Sequence, residues 1–546
     1  MRTTLIWAAF LASFLSLLRP VSASDASLDA PPANLKPAPV HLAALLAAHD
    51  AAVGVRTAGI ADTVVEDWRF TDSGISGTEH LERAGTDYHS KLLEGPFVEE
   101  YGQHNGERWH RDYNGFVSPT TTIDETSFIA ERVLEDAADP KDDASVLGVT
   151  QGTNPAYVVQ VKIPGDLHPE WVFYDVSTSQ IVRVEQVEGT HRLVNTYDDF
   201  RATDGVTSAW HIHDSDGRTQ LDDDWVRTSM AIGGHVDQTQ FAQPPSAPHT
   251  ASYQQGFQVP VTMYDDGTII IRVTVNGRGL DMMLDTATPE NIIDEQVARE
   301  LGLPTYGHVD RLSNGDNVAF ETTIPLCSIG NTTTTNLAVD AEPFNFQWTE
   351  HTKVVGVLGY DFLAGNVFKI DYWNGTLSLI APSAFASENP VPGGITVPIE
   401  LDNGTPFIQL GIGNSVSTNA VLANESDRTI VFGNFVNAHN DDFTNYGDGK
   451  HHQDQVPFAD NGSFGRTIEA WAALADHLRF GSGDYQQVLV VASSYPLHYS
   501  PDRAVDAMLG FDVLRFFDLY IDYPHNRFIV KPNQLFFKVF HRNTNV

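Results

Sequence analysis

The chain has 546 residues, with 71 acidic side chains against 33 Lys and Arg, and a formal net charge of -38. That charge excludes the phosphate backbone of nucleic acid as a partner, because the two would repel each other. With 42% apolar and 19% charged residues the chain is globular, and its length suits about three or four domains at the usual ~100–200 residues each.

In chain order, Arg2 precedes an apolar run over residues 5–18, and Val21-Ser22-Ala23 supplies a small-x-small cleavage site. Residues 1–23 therefore read as a secretory signal peptide. Arg19 and Pro20 stop the run short of the ~20 residues that a span needs. The expected chain is exported, periplasmic or extracellular, with no stable membrane span after signal cleavage. Cys327 is the one cysteine, so no internal disulfide can form; its apolar surroundings, Ile324 to Ile329, predict a buried small hydrophobe. Asn-x-Ser/Thr sequons start at Asn331, Asn374, Asn403, Asn424 and Asn461.

Residues 24–40 are rich in Pro and Ala and read as a linker. Residues 41–49 predict a helix. A strand-dominated domain over 41–243 follows. Tyr157, Val159, Val161 and Ile163 alternate onto one face, and the strands around Trp171 and Ile181 form a hairpin through Ser177-Thr178-Ser179. The pattern Gly102-x-x-x-Gly106-x-x-Trp109, the pair Tyr174-Asp175 before Ser177-Thr178, and Tyr197-x-x-Phe200 before Asp204-Gly205 resemble the half-open β-barrel of the outer-membrane lipoprotein carriers. That resemblance implies a concave face for a lipid or lipoprotein; a rigid spacer is the other reading. His104, His110 and Asp222-Asp223-Asp224 read as solvated surface. His211 and His213 share a strand face with no third metal ligand evident.

Pro244-Pro245-Ser246-Ala247-Pro248 marks a boundary, after which the chain repeats itself once. Val259-Pro260-Val261 pairs with Val397-Pro398-Ile399, and Asp266-Gly267 with Asn403-Gly404, each a hairpin signal. Val357-Leu358-Gly359-Tyr360-Asp361 pairs with Met508-Leu509-Gly510-Phe511-Asp512, and Phe368-Lys369-Ile370-Asp371-Tyr372 with Leu519-Tyr520-Ile521-Asp522-Tyr523. The copies occupy 257–380 and 395–535, joined by residues 381–394, with an insertion in the second over 440–465.

Leu284-Asp285-Thr286-Ala287, read with the downstream Val357-Leu358-Gly359, resembles one lobe of the bilobal, retropepsin-like aspartic peptidases. The resemblance implies Asp285 and Thr286 as catalytic residues and a peptide or protein as substrate. Such an enzyme needs two carboxyls that share one proton. The aligned second-lobe strand places Ala423 where Asp285's partner belongs, with Asn424, Glu425 and Asp427 nearby. Glu425 is expected out of phase, able to reach back only if its loop is remodelled. Three readings stand: two chains pair through their Asp285 turns, Asp285 works alone or with a carboxyl such as Glu425, or the fold is an inactive binding module. Asp361, Asp371, Asp512 and Asp522 read as structural, and 311–316 as the tip of a flap.

There is no Gly-x-Ser-x-Gly, His-Glu-x-x-His, phosphate loop or Cys-x-x-Cys, and neither cofactor nor metal is expected. His451-His452 reads as a solvated pair. The expected fold is mainly β: an N-terminal half-open β-barrel with a helix, followed by two tandem acid-protease-like β-barrel lobes. The expected function is that of an exported aspartic-type peptidase acting through Asp285, or of an inactive peptidase-fold binder of peptides or lipoproteins.

Overall fold

A computed structural model describes residues 28–54, 63–120, 143–162, 168–188, 191–248, 251–252, 257–310, 318–330, 332–344, 346–347, 353–445, 454–460, 463–500 and 503–540. The signal peptide, the flap tip at 311–316 and His451-His452 lie outside them. The chain is mainly β and divides into two compact units, residues 21–246 with 306–309, and residues 247–305 with 310–546. Among the described residues no helix is long and apolar enough to cross a membrane.

The first unit is built on one antiparallel sheet of thirteen strands, whose end strands among the described residues are Val117–Pro119 and Asp143–Val149. The helix runs over Leu42–Val53, beyond residue 49, because Ala and Val continue it until Gly54 takes φ 76° and caps it. Leu45 on this helix packs with Val159, Val161, Tyr174 and Tyr197 on one sheet face. Ala156, Val158, Trp171 and Phe173 pack on the other face. Arg183 and Arg192 cover Phe173 and Trp171 from 3.8 and 4.3 Å. Strand Ala156–Lys162 is thus buried on both sides.

The glycine pattern has a packing cause. Gly102 pairs with Trp109 across the strands, and a Cβ on Gly102 would stand 2.4 Å from the indole. The indole nitrogen in turn donates to the Phe241 carbonyl at 2.7 Å. The Asp175 carboxylate holds its turn by accepting from the Ser177 and Thr178 amides at 2.9 and 2.8 Å.

Two side chains expected on solvated surface are not there. His110 is buried, stacked on Tyr101 and 2.7 Å from Glu99. Asp223 accepts from the Ser73 amide at 2.7 Å, and burial, then the Asp72 charge, push its carboxyl up to about 9. His110 is covered by the neighbouring strand through Tyr101, and Asp223 by the turn at Ser73, contacts that a single strand's sequence does not reveal. His211 and His213 do share a face, each bonded to Asp224 at 3.1 and 3.2 Å.

In the second unit the two copies have the same topology. Strand Arg278–Leu284 lies parallel to Lys353–Leu358, with Ile292–Asp294 antiparallel to the latter. In the second copy Ser415–Leu422 lies parallel to Ala507–Leu509, with Ile430–Val431 antiparallel to it. A run of six antiparallel strands ties the lobes together. Within it Val367–Asp371 of the first lobe pairs directly with Phe517–Asp522 of the second, Ile370 opposite Leu519. The connection at 381–394 is packed, with Phe385 and Val391 buried against Val367 and Ile529.

Gly359 and Gly510 follow the two buried parallel strands. A Cβ on Gly359 would meet the Thr288 and Glu290 carbonyls at 2.3 Å; on Gly510 it would meet the Arg428 carbonyl at 2.2 Å. Only glycine lets these segments lie so close behind the turns at 285–288 and 423–426. Cys327 is buried, which pushes its thiol up to about 12.

Candidate active site

Asp285 leaves the end of its strand held by one backbone bond, its amide donating to the Leu358 carbonyl at 3.1 Å. The Ala423 amide makes the matching bond to Leu509 at 3.2 Å. Three residues on, Tyr360 donates to Thr288 and Phe511 to Ser426. The two turns are therefore equivalent residue by residue: Asp285 with Ala423, Thr286 with Asn424, Ala287 with Glu425. Ala287 keeps a negative φ, so the usual glycine is not required there.

The turns lock onto each other through four bonds. The Thr286 hydroxyl donates to the Leu422 carbonyl at 3.0 Å and accepts from the Asn424 amide at 3.1 Å. Asn424 returns both, its side-chain Nδ2 donating to the Leu284 carbonyl at 3.3 Å and its Oδ1 accepting from the Thr286 amide at 2.9 Å. One carboxamide thus supplies the donor and the acceptor that a hydroxyl would supply. Asn424 is fully buried, so its sequon is closed to modification in the folded chain. Asn424→Ala leaves a buried N–H and a buried carbonyl unpaired and should lower stability by about 2–4 kcal/mol. Asn424→Thr should recover most of that, because threonine restores both bonds. Urea unfolding midpoints decide it, and equal midpoints for the two variants would refute the assignment.

The Asp285 carboxylate is fully buried and accepts three bonds: Oδ1 from the Ala287 and Thr288 amides at 2.8 and 3.1 Å, and Oδ2 from the Thr288 hydroxyl at 2.7 Å. Glu425 is equally buried but differs in its partners. It is 1% exposed, and burial first, then the charge and close approach of the Asp285 carboxyl, raise its own carboxyl well above the ordinary range. The Thr286 and Glu425 amides counter part of that shift without either Glu425 oxygen receiving a well-formed bond from the described residues.

Glu425 thus lies against Asp285, contrary to its expected phase. The strand ends at Leu422, so Glu425 sits in the turn, where alternation no longer dictates the side-chain direction. Asp427 is raised to about 6 by burial, with Arg428, Asp512 and Asp266 as its charged neighbours. The Tyr523 hydroxyl donates to the Thr286 carbonyl at 2.9 Å. The Tyr372 hydroxyl is buried without a hydrogen-bond partner among the described residues and is raised by burial and then by the Glu425 charge. Nothing in the linear sequence marked these two tyrosines, except that both follow the repeated Ile-Asp pair.

Asp512 accepts from the Thr429 amide and hydroxyl at 2.8 and 2.7 Å. Asp371 pairs with Lys369 at 3.3 Å, and Asp522 with Arg527 at 2.8 Å. All three hold backbone or strand ends. Among the described residues no group of three or more His, Cys, Asp or Glu side chains could hold a metal.

Residues 271–362 match the family model described as aspartyl protease, so that stretch is an aspartyl-protease-like region. No curated protein matches the chain. Among solved structures, the chain is similar to a LolA superfamily protein from Nitrosomonas europaea, at 12% identity and TM-score 0.29, over 37% of this chain and 98% of that one. It is similar to a DUF1329 family protein from Desulfovibrio piger at 12% identity and TM-score 0.27, over 36% and 97%. It is also similar to conglutin gamma, a basic 7S globulin from lupine seeds, at 10% identity and TM-score 0.32, over 53% and 97%.

Proposed function

We propose that this chain is an aspartic-type peptidase whose two carboxyls are unlike, Asp285 from the first lobe and Glu425 from the second. The observation that carries the reading is the burial of the Glu425 carboxyl beside Asp285, whose charge and close approach help to raise it. Asp285 is the base: it takes a proton from water as the water oxygen attacks the scissile carbonyl carbon. Glu425 is the acid: it gives its proton to the carbonyl oxygen, leaving a tetrahedral diol. Return of one diol proton to Glu425, and transfer of the proton on Asp285 to the leaving nitrogen, break the C–N bond and restore both carboxyls. Thr286 acts as a positioning residue, through its bonds to the opposite turn. Pairing of two chains through their Asp285 turns is disfavoured, because the second lobe's own turn already occupies that place.

One observation favours the other reading, an inactive peptidase-fold binder. Asp285, Thr286 and Glu425 are all essentially without solvent contact, and Ala287 and Ala423 join one apolar cluster with Phe407, Phe432 and Tyr499. Hydrolysis requires that cover to open. Cleavage of a peptide library at acid pH, blocked by a statine-type inhibitor, separates the two; a folded protein that cleaves nothing is a binder.

The proposal extends to the rest of the chain. Residues 1–23 direct export to the periplasm or beyond, 24–40 link, 41–243 form a carrier-like domain for a lipid or lipoprotein, and 257–380 and 395–535 are the two lobes. It rests on the composition of the leader, the antiparallel sheet with its helix, and the repeat. N-terminal sequencing of the exported chain should begin at Ser24; a mature chain that retains Met1 would remove the export step.

A further inference from the structure

The second lobe carries a cavity of about 530 Å³, a size typical of small-ligand sites. Its walls are the strand Gly483–Ser493, the helix Phe511–Leu514 and the last described helix, Gln534–Phe540. The lining is aromatic. The Phe536 ring lies 5.7 Å from Phe517, 6.4 Å from Tyr485 and 4.8 Å from Phe540, and Phe516 lies 5.3 Å from Phe540. Around the cavity, Leu489 and Phe540 remain 46% and 50% exposed. Apolar surface left open beside a preformed aromatic hollow is where an apolar ligand gains most.

The charges in the wall are not equivalent. Asp484 is paired with His477 at 2.8 Å. Asp512 is engaged by Thr429, and burial raises its carboxyl. Arg428 has Asp427 and Asp512 as charged neighbours. Arg515 is paired with no carboxylate among the described residues. Its guanidinium stands 5.2 Å over the Phe516 ring, and its Nε is buried without a hydrogen-bond partner among the described residues. A buried guanidinium N–H without an acceptor is costly and fits the carboxylate geometry well.

We propose that this cavity binds a long-chain aliphatic carboxylate, with its head group on Arg515 and its chain along Leu489, Phe517, Phe536 and Phe540. The site is separate from the Asp285–Glu425 pair and does not depend on hydrolysis. Calorimetric titration of the full chain with dodecanoate and with dodecanol tests it on the unaltered protein. Dodecanoate should bind one molecule per chain at this site, at least tenfold more tightly than dodecanol. Leu489→Asp, at a half-exposed strand position that tolerates charge, should abolish that binding. Arg515→Gln should bring dodecanoate down to the dodecanol level and leave dodecanol unchanged. Equal affinity for the two ligands, no dodecanoate binding, or dodecanoate binding unaltered by Leu489→Asp would each overturn the proposal. If Arg515→Gln fails to fold, the ligand comparison and Leu489→Asp still decide it.

Discussion

Asp285→Asn should lower peptide hydrolysis at acid pH by about 10³-fold or more, equivalent to about 4 kcal/mol of transition-state stabilisation, while leaving the urea midpoint nearly unchanged. The amide fits where the carboxylate was. Its oxygen still accepts from the Ala287 and Thr288 amides, and its nitrogen faces the Thr288 hydroxyl, which can turn to accept. What is lost is the base that takes the proton from water. Thr286→Val separates chemistry from position: it breaks the bonds to Leu422 and Asn424, so its loss of activity should come with a loss of stability. If Asp285→Asn retains full activity in protein free of contaminating peptidase, the carboxylate has no part in the chemistry. If activity instead rises with the square of protein concentration, a site shared between two chains is at work.

The two lobes were legible because the repeat is written at glycines and strand ends, where the backbone leaves little choice. Gly359 and Gly510 each back a turn so closely that an added Cβ would stand 2.2–2.3 Å from a backbone carbonyl oxygen, and such positions keep their spacing. The equivalence of Asp285 with Ala423 was legible for the same reason, since both amides bond the end of a parallel strand. Glu425 was misjudged by a rule that stops applying at Leu422: strand phase says nothing about a side chain in a turn. The role of Asn424 was also hidden, because only the facing turn shows that a carboxamide can do the work of a hydroxyl on both sides. In the first unit the individual hairpins could be read locally, but the burial of His110 and Asp223 depends on partners distant in sequence or on another strand, Tyr101 and Ser73.

Glu425→Gln should lower hydrolysis by about 10²–10⁴ and, at neutral pH, make the protein more stable. Burial and the neighbouring Asp285 charge raise the Glu425 carboxyl above its value in the unfolded chain. Below about pH 4.3, the ordinary glutamic acid value, it is protonated in both states and adds no pH dependence. As the pH rises, the unfolded chain releases this proton and the folded chain keeps it. Stability then falls by up to about 1.4 kcal/mol per pH unit until the pH passes the folded value. Glutamine has no proton to release, and its amide can donate to Asp285 in place of the carboxyl proton. The two proteins should therefore have similar urea midpoints at pH 4, and the variant should pull ahead steadily toward pH 7. The net charge of -38 destabilises both chains alike at high pH, so the difference between them isolates Glu425. Activity should fall by about 10²–10⁴ over the same range, because glutamine cannot pass a proton to the carbonyl oxygen. Parallel stability curves would mean that Glu425 is not held protonated against Asp285, and the unlike pair would lose its physical basis.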